Sequence, residues 1–177
     1  MAGHSKWAQI KRKKAVTDAA RSKVFGKYAR LILVESRACG GDTSSPGLRT
    51  IIERAKSENM PKDSIERAVV KGKSGGSTAY NPVTYEVYGP GSVAVIVTAL
   101  TDNKNRTAQD VRIILSKHSC SLATQGSALW AFSKAVDGSY TPTTTTTIQD
   151  TESEALQKLI DDLEDNDDVQ HVYTNAL

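Results

Sequence analysis

The segment from Val83 to Leu100, VTYEVYGPGSVAVIVTAL, decides the fold predicted for this chain of 177 residues. Its first part, Val83–Tyr88, has the period of two that is typical of a strand, and Gly89-Pro90-Gly91 is typical of a turn. The part that follows, Ser92–Leu100, is rich in Val and Ile, which favours a buried strand. The segment therefore predicts two consecutive strands.

The elements predicted beyond this segment alternate between helix and strand. In chain order they are a helix with Thr107 as its N-cap, a strand near Ser127–Phe132, a hairpin turn at Asp137-Gly138, a strand over Tyr140–Ile148, a helix over Glu152–Glu164 and a strand over Val169–Tyr173. The alternative for Thr143–Thr147 is a low-complexity linker, but threonine is β-branched and favours strands. Counted from Ser92, the order is β-α-β-β-α-β. It predicts a ferredoxin-like α+β domain, with Val83–Tyr88 as one extra strand at its N-terminal side.

Three helices are predicted before the strands. Apolar residues recur every three or four positions over Thr17–Ala38, and Gly40-Gly41 fits a helix C-cap. A second helix follows Ser44-Ser45-Pro46 and a third begins near Pro61, so the N-terminal part predicts a three-helix bundle. The Gly/Ser-rich stretch Lys71–Ser77 predicts a flexible linker. The expected domains are therefore residues 1–76, basic and helical, and residues 77–177, α+β.

The charge is divided unevenly between these two parts, although the net charge is only +3. Residues 1–76 hold 17 Lys/Arg against 7 Asp/Glu, and residues 77–177 hold 6 against 13. Such asymmetry indicates a basic half that meets a polyanion and an acidic half that does not. The alternative interpretation is a solvated, lysine-rich helical surface.

The candidate nucleic-acid-binding residues are concentrated in the basic half. They are Lys6, Trp7, Lys11, Arg12, Lys13, Lys14, Arg21, Lys23 and Lys27, with Lys104 and Arg106 in a second polar loop. Trp7 could stack on a base, or pack against a core as a lone tryptophan more often does. Lys104 and Arg106 could touch phosphate, or hold the turn into the helix at Thr107.

Patterns typical of enzymes, metal sites and membrane proteins are sparse. The three histidines, His4, His118 and His171, form no HExxH or HxH spacing, and the acidic run Asp161–Asp168 lacks the alternation and the glycine of an EF-hand loop. Cys39 and Cys120 form no CxxC pair. We therefore expect no catalytic residue, metal or cofactor, and no small-molecule substrate.

The expected location is the cytoplasm. No stretch of about eighteen apolar residues is long enough for a membrane span, and the start of the sequence lacks the apolar region of a secretory signal. The basic, acid-poor start also resembles a mitochondrial transit peptide, which leaves a mitochondrial location open. The oligomeric state is left open by the sequence.

Short motifs spread over nearly the whole chain resemble those of a known protein family. They are Met1–Trp7 (MAGHSKW), Ile10-Lys11, Asp18, Lys23–Phe25, Lys27, Asn59–Asp63, Ile65–Ala68, Tyr85–Gly91, Thr101–Asn103, Asn105–Thr107, Leu163–Asp165, Asp167–Gln170 and Val172–Asn175. In this order they resemble the YebC/PmpR family, which includes the mitochondrial translational activator of cytochrome c oxidase. The resemblance implies a non-enzymatic regulator of gene expression. Bacterial members of that family are described as DNA-binding transcriptional regulators, and members are also described as translation factors that act on the ribosome.

One departure from the family pattern is visible in the sequence. Family chains are usually longer, because a third domain is inserted within the second. Here Ala135–Ser139 stands where that insert would be, so the sequence predicts a short form without it. The sequence is compatible with four functions: a DNA-binding transcriptional regulator, an RNA- or ribosome-associated translation factor, a protein-interaction module that docks an acidic partner, and, least favoured, an enzyme.

Overall fold

The computed structural model describes residues 18–75, 79–136 and 138–177. Three helices come first: α1 (Asp18–Ala38), α2 (Pro46–Ser57) and α3 (Lys62–Lys73). The elements that follow are β1 (Asn81–Tyr88), β2 (Ala94–Thr101), α4 (Lys104–Lys117), β3 (Phe132–Lys134), β4 (Tyr140–Pro142), α5 (Asp150–Asp165) and β5 (Val169–Thr174). This order confirms the predicted α+β class, with three helices before a β-containing part.

The described residues form two compact units. The helical unit contains residues 18–75, 79–82 and 100–103, and the sheet unit contains residues 83–99, 104–136 and 138–177. The predicted boundary between residues 76 and 77 lies outside the described residues and stays a prediction. The predicted linker begins too early, because α3 continues through Lys73.

The core of the helical unit is built from the apolar stripes that the sequence predicts. Its buried residues are Ile32, Leu48, Ala55, Met60, Ile65 and Ala68. Helices α1 and α3 approach closely near Gly72, where an added Cβ would lie 2.6 Å from the carbonyl oxygen of Leu33. The hydroxyl of Ser36 donates to the carbonyl oxygen of Val69 at 2.7 Å in the same region. A glycine in α3 therefore sets the distance between the two helices.

The end of α1 follows the predicted C-cap. Gly40 and Gly41 have φ values of +65° and +82°, which glycine adopts without steric cost. The backbone N–H of Gly41 donates to the carbonyl oxygen of Ser36 at 2.8 Å. This bond satisfies one of the carbonyl groups left open at the helix terminus, as in a Schellman-type cap.

The sheet unit is organised around β2, which lies between β1 and β5. Strands β2 and β5 are antiparallel, with Val95 opposite Thr174 and Val97 opposite Val172. Both faces of β2 are covered. Val95 and Val97 pack with α4 and α5, whereas Ala94 and Ile96 pack with Ala128, Ala131 and Phe132. This double burial explains why the first half of β2, Ala94–Val97, is an unbroken apolar run.

The predicted element order β-α-β-β-α-β is confirmed, but the strand pairing differs from a single ferredoxin-like sheet. Strands β3 and β4 pair only with each other, as a separate two-stranded antiparallel sheet. The extra strand β1 occupies the place beside β2. With three residues each, β3 and β4 form a short hairpin that covers one face of the sheet through Phe132 and Tyr140.

Two predicted strand boundaries are wrong. The strand expected near Ser127–Phe132 begins only at Phe132, and Leu129–Ala131 forms a single 3₁₀ turn. The strand expected over Tyr140–Ile148 ends at Pro142, and Thr146 instead forms an isolated bridge with Ala176. The hairpin itself is confirmed, with Lys134 opposite Tyr140, although Asp137 lies outside the described residues.

Thr107 does not cap the helix that contains it. Helix α4 begins at Lys104, and Thr107 is buried within its first turn. The Thr107 hydroxyl donates to Oδ2 of Asp168 at 2.7 Å, so it joins α4 to the start of β5. Within residues 18–75, 79–136 and 138–177, the helices lack the combined length and apolarity that a lipid bilayer requires of a spanning segment.

Candidate nucleic-acid interface

Helix α1 carries three of the five predicted binding residues that the structure describes, namely Arg21, Lys23 and Lys27. Lys23 and Lys27 are four residues apart, and Arg30 follows three residues later, so these side chains share one face of the helix. Arg21, two residues before Lys23, lies on the other side and is exposed. The structure therefore groups Lys23 and Lys27 with Arg30 and separates them from Arg21.

Helix α3 adds cations that the sequence analysis did not select. Arg67 and Lys71 are exposed and four residues apart, so they share one face of α3. The guanidinium of Arg67 is held against its own helix, because Nε donates to the carbonyl oxygen of Asp63 at 3.2 Å and Nη2 donates to Oγ of Ser64 at 3.1 Å. A guanidinium fixed in this way keeps further N–H donors for an anion.

A cavity of about 360 Å³ opens between these two helices. Its lining comes from α1, α3, the loop before α3 and the residue before β1, and consists of Phe25, Gly26, Ala29, Arg30, Leu33, Met60, Ser64, Arg67, Ala68, Lys71 and Tyr80. The size lies in the range of about 300–1,000 Å³ that is typical of small-molecule sites. All of these residues belong to the helical unit.

The lining of the cavity combines aromatic rings with positive charge. Phe25 and Tyr80 supply the rings, and the guanidinium carbon of Arg30 lies 5.7 Å from the centre of the Tyr80 ring, within the range of a cation–π contact. Of the described residues that line the cavity, none is acidic. The cavity therefore suits a ligand with a flat ring and a negative charge.

Several predicted binding residues lie outside the described part of the chain. They are Lys6, Trp7, Lys11, Arg12, Lys13 and Lys14. Their contribution to binding stays a prediction that rests on sequence alone.

The remaining two, Lys104 and Arg106, belong to the sheet unit, at the start of α4. Lys104 is exposed. Arg106 forms an ion pair with the buried carboxylate of Asp168, with 2.9 Å between Nη2 and Oδ2. This contact favours a structural role for Arg106, since it satisfies a carboxylate that is only 7% exposed.

Tyr85 packs near this carboxylate, and its hydroxyl is buried without a hydrogen bond to any described residue. Burial raises the pKa of the Tyr85 hydroxyl, the negative charge of Asp168 raises it further, and Arg112 acts in the opposite direction. A tyrosine whose folded pKa is raised stabilises the fold at low pH, and this stability is lost as the pH rises from the unfolded pKa through the folded one.

Tyr85→Phe is therefore expected to raise the free energy of unfolding by about 1 kcal/mol near neutral pH, because it removes a buried hydroxyl that has no partner. The advantage is expected to grow above about pH 10, since phenylalanine does not titrate. Tyr88→Phe is the matched contrast: the Tyr88 hydroxyl donates to the carbonyl oxygen of Ser127, and its loss is expected to destabilise. Urea unfolding at several pH values measures both. If the Tyr85→Phe protein is less stable than its parent, the Tyr85 hydroxyl has a favourable partner, and the prediction is wrong.

Among the described residues, no group of three His, Cys, Asp or Glu side chains is placed to hold a metal ion. The acidic run begins near the end of α5 and continues into the loop after it. Nε2 of His118, the residue that follows α4, lies 2.7 Å from Oδ2 of Asp162 in α5. Cys39 and Cys120 are both free thiols.

None of the residues that line the cavity is among the binding residues predicted from the sequence. Arg30, Arg67 and Lys71 flank apolar stripes, and their i,i+4 or i,i+3 spacing to other cations was a usable signal. Tyr80 carried no such signal, because only folding brings it beside Arg30, fifty positions earlier in the chain.

Comparisons with known proteins agree over nearly the whole chain. A family model described as the TACO1/YebC protein N-terminal domain matches residues 5–75, and one described as the TACO1/YebC second and third domain matches residues 80–138 and 134–176. A crystal structure of a conserved hypothetical protein from Aquifex aeolicus is similar with a TM-score of 0.85 and 32% identity, covering 98% of this chain and 97% of that one.

Curated relatives carry the name "probable transcriptional regulatory protein". One from Fervidobacterium nodosum is 37% identical over 235 residues, covering 99% of this chain and 93% of its own length. One from Lactobacillus acidophilus is 42% identical, covering 99% of this chain and 73% of its own length. One from Syntrophus aciditrophicus is 50% identical over 137 residues, or 76% of this chain and 55% of its own length. The chain belongs to the TACO1/YebC family.

Proposed function

We propose that this protein is a non-enzymatic regulator of gene expression that binds nucleic acid, in the first place as a DNA-binding transcriptional regulator. The observation that carries the proposal is the cationic helical unit. Residues 18–75 alone hold 12 Lys/Arg against 7 Asp/Glu, and residues 1–17 add five more cations and no acid. The names of the bacterial relatives support a role in transcription.

The chemistry of these side chains suits the sugar–phosphate backbone. Lysine and arginine neutralise phosphates and release counterions, which supplies affinity for any sequence but little discrimination between sequences. Specific recognition would need side chains aimed at base edges in a groove. Lys23 and Lys27 on α1 can neutralise phosphates of any sequence, so affinity is expected to exceed sequence preference.

A second candidate is a translation factor that binds RNA or the ribosome. It is favoured by the cavity between α1 and α3, because its aromatic lining offers a place for an unpaired ring, and a paired duplex presents none. The family resemblance to a mitochondrial translational activator also supports this candidate.

Fractionation of a cell lysate separates the two candidates. The full-length protein is expected to remain with plasmid or chromosomal DNA if it regulates transcription, and to sediment with ribosomes if it acts in translation. Nuclease treatment of each fraction provides the control. DNase should release the protein from the DNA fraction, and RNase should release it from the ribosomal fraction. A protein that remains with neither fraction at physiological salt would contradict both candidates.

We also propose that the chain is a short form that lacks the family's inserted domain, and that it acts in the cytoplasm, which the bacterial origin of its relatives supports. The alignment to the Fervidobacterium relative spans 235 positions, more than the 177 residues present here. The two matched segments of the second family model meet at residues 134–138, at the tip of the β3–β4 hairpin. A hairpin that pairs Phe132 with Pro142 can close at this point without an insert.

A further inference from the structure

We propose that the cavity between α1 and α3 binds one unpaired nucleotide, with its base against the aromatic lining and its phosphate against the cations. The inference deepens the proposed function and rests on it, because it names the part of a nucleic acid that the basic helical unit would hold. It gives the helical unit a preference for single strands that a purely electrostatic surface would not have.

The lining of the cavity matches the chemistry of a nucleotide base. Phe25 and Tyr80 provide rings, and Met60 and Ala68 add buried apolar surface. A base stacked on an aromatic side chain gains affinity without regard to its identity, because every base has a π-face. Methionine adapts to flat ligands, since its unbranched side chain is flexible and polarizable.

The cations of the cavity are arranged where they could hold a phosphate. Arg67 is fixed on its helix by the two hydrogen bonds to Asp63 and Ser64, and Lys71 lies one turn further along the same face. Guanidinium and ammonium groups at neighbouring positions are the usual partners of phosphate in proteins. Arg30, which stands over the Tyr80 ring, places a third cation at the same opening.

The entrance to the cavity is open at Gly26. Gly26 lies in α1 beside the cavity, is exposed, and has open space around the position of a Cβ, with no atom within 4 Å. A glycine inside a helix costs about 1 kcal/mol relative to alanine. Its presence keeps the entrance free of a side chain.

Gly26 also provides the test. Gly26→Leu fills the entrance while improving helix propensity, so the protein is expected to fold, which circular dichroism and urea unfolding check. Gly26→Ala is the matched control, because it makes the same backbone change and leaves the cavity open. The probes are a uridine RNA strand and a thymidine DNA strand of about 12 nucleotides, a duplex of the same length, and free uridine monophosphate as competitor.

We expect the substitution to weaken the binding of single strands and not that of the duplex. Gly26→Leu should weaken binding of single strands about tenfold or more and change duplex binding by less than about twofold, while the smaller side chain of Gly26→Ala should weaken single-strand binding far less than Gly26→Leu does. A loss confined to RNA, to DNA, or shared by both strands supports the proposal and identifies the source of the nucleotide. Competition by uridine monophosphate with the parent but not with Gly26→Leu supports it as well.

If Gly26→Leu does not fold, a second pair of variants tests the nucleotide site through its charge. Arg67→Gln should weaken single-strand binding more than Arg49→Gln, because Arg49 is paired with Glu53 at 3.0 Å and does not line the cavity. In addition, a 4-thiouridine strand should crosslink under ultraviolet light to Phe25 or Tyr80, as peptide mass mapping would show.

Two outcomes would overturn the inference. If Gly26→Leu and Arg67→Gln bind single strands as the parent does, the cavity is not a nucleotide site, although the basic unit still binds nucleic acid. If the parent binds no strand and no duplex, the proposed function fails together with the inference.

Discussion

Replacing Glu86 with alanine is expected to lower the free energy of unfolding by about 3–5 kcal/mol, the largest change of any single substitution considered for this protein. Glu86 lies on β1 with only 5% of its surface exposed. Its carboxylate accepts backbone N–H bonds from Gly126 at 2.5 Å, Ala128 at 2.7 Å and Leu129 at 3.0 Å. Without these acceptors, three N–H groups in the loop before β3 lose their partner, at about 1–3 kcal/mol each before water compensates.

Glu86→Ala is expected to loosen the loop before β3 first, because the three N–H groups that lose their acceptor lie there. This loop carries Ala128 and Ala131, which cover the face of β2 opposite the helices, so releasing it also exposes Ile96. Urea unfolding followed by circular dichroism measures the loss. Glu154→Ala on the exposed side of α5 is the control and is expected to change stability by less than about 0.5 kcal/mol. A loss below about 1 kcal/mol for Glu86→Ala would contradict an anchoring role.

The second large effect concerns salt. If the basic part of the chain contacts about five phosphates, the logarithm of the binding constant for duplex DNA should fall with the logarithm of salt concentration with a slope of about −4 to −5. Raising salt from about 50 to about 200 mM should then weaken binding roughly 500-fold. The physical reason is the release of condensed counterions when each phosphate is neutralised.

Fluorescence anisotropy of a labelled duplex over a salt series measures this slope. Repeating the series with a labelled single strand provides the comparison, for which the slope per contact is smaller, about 0.7 instead of 0.9. A flat response on both probes would exclude binding through phosphates and would favour the interpretation of the cations as a solvated helical surface.

The fold was more predictable from the sequence than the candidate site. Its helices depend on contacts between neighbouring residues, whereas the site depends on contacts between residues far apart in the chain. Helix α1 matched its predicted end at Ala38, because apolar spacing and the Gly40-Gly41 cap are local features. The long strand predicted over Tyr140–Ile148 was wrong, because threonine propensity takes no account of the bridge that Thr146 forms with Ala176. Tertiary context overrode a local preference there.

The charge asymmetry was visible in the sequence, but the cavity was not. Charge adds up along the chain without knowledge of the fold, so residues 1–76 are basic in any conformation. The cavity forms only when Arg30 of α1, Arg67 of α3 and Tyr80 before β1 come together in the folded chain. No short sequence motif encodes that arrangement. Glu86 was hidden for the same reason, because its three donors lie about forty residues further along the chain.

The central claim is that the N-terminal basic part binds the sugar–phosphate backbone, and two charge-matched variants test it most directly. One changes Lys11, Arg12, Lys13 and Lys14 to alanine, and the other changes Arg112, Lys117, Lys134 and Lys158 of the sheet unit to alanine. Each removes one arginine and three lysines, so the net charge changes equally. We expect the first variant to reduce the salt slope for duplex DNA by about 3–4 and the second to leave it nearly unchanged. Equal slopes for the two variants would contradict the claim.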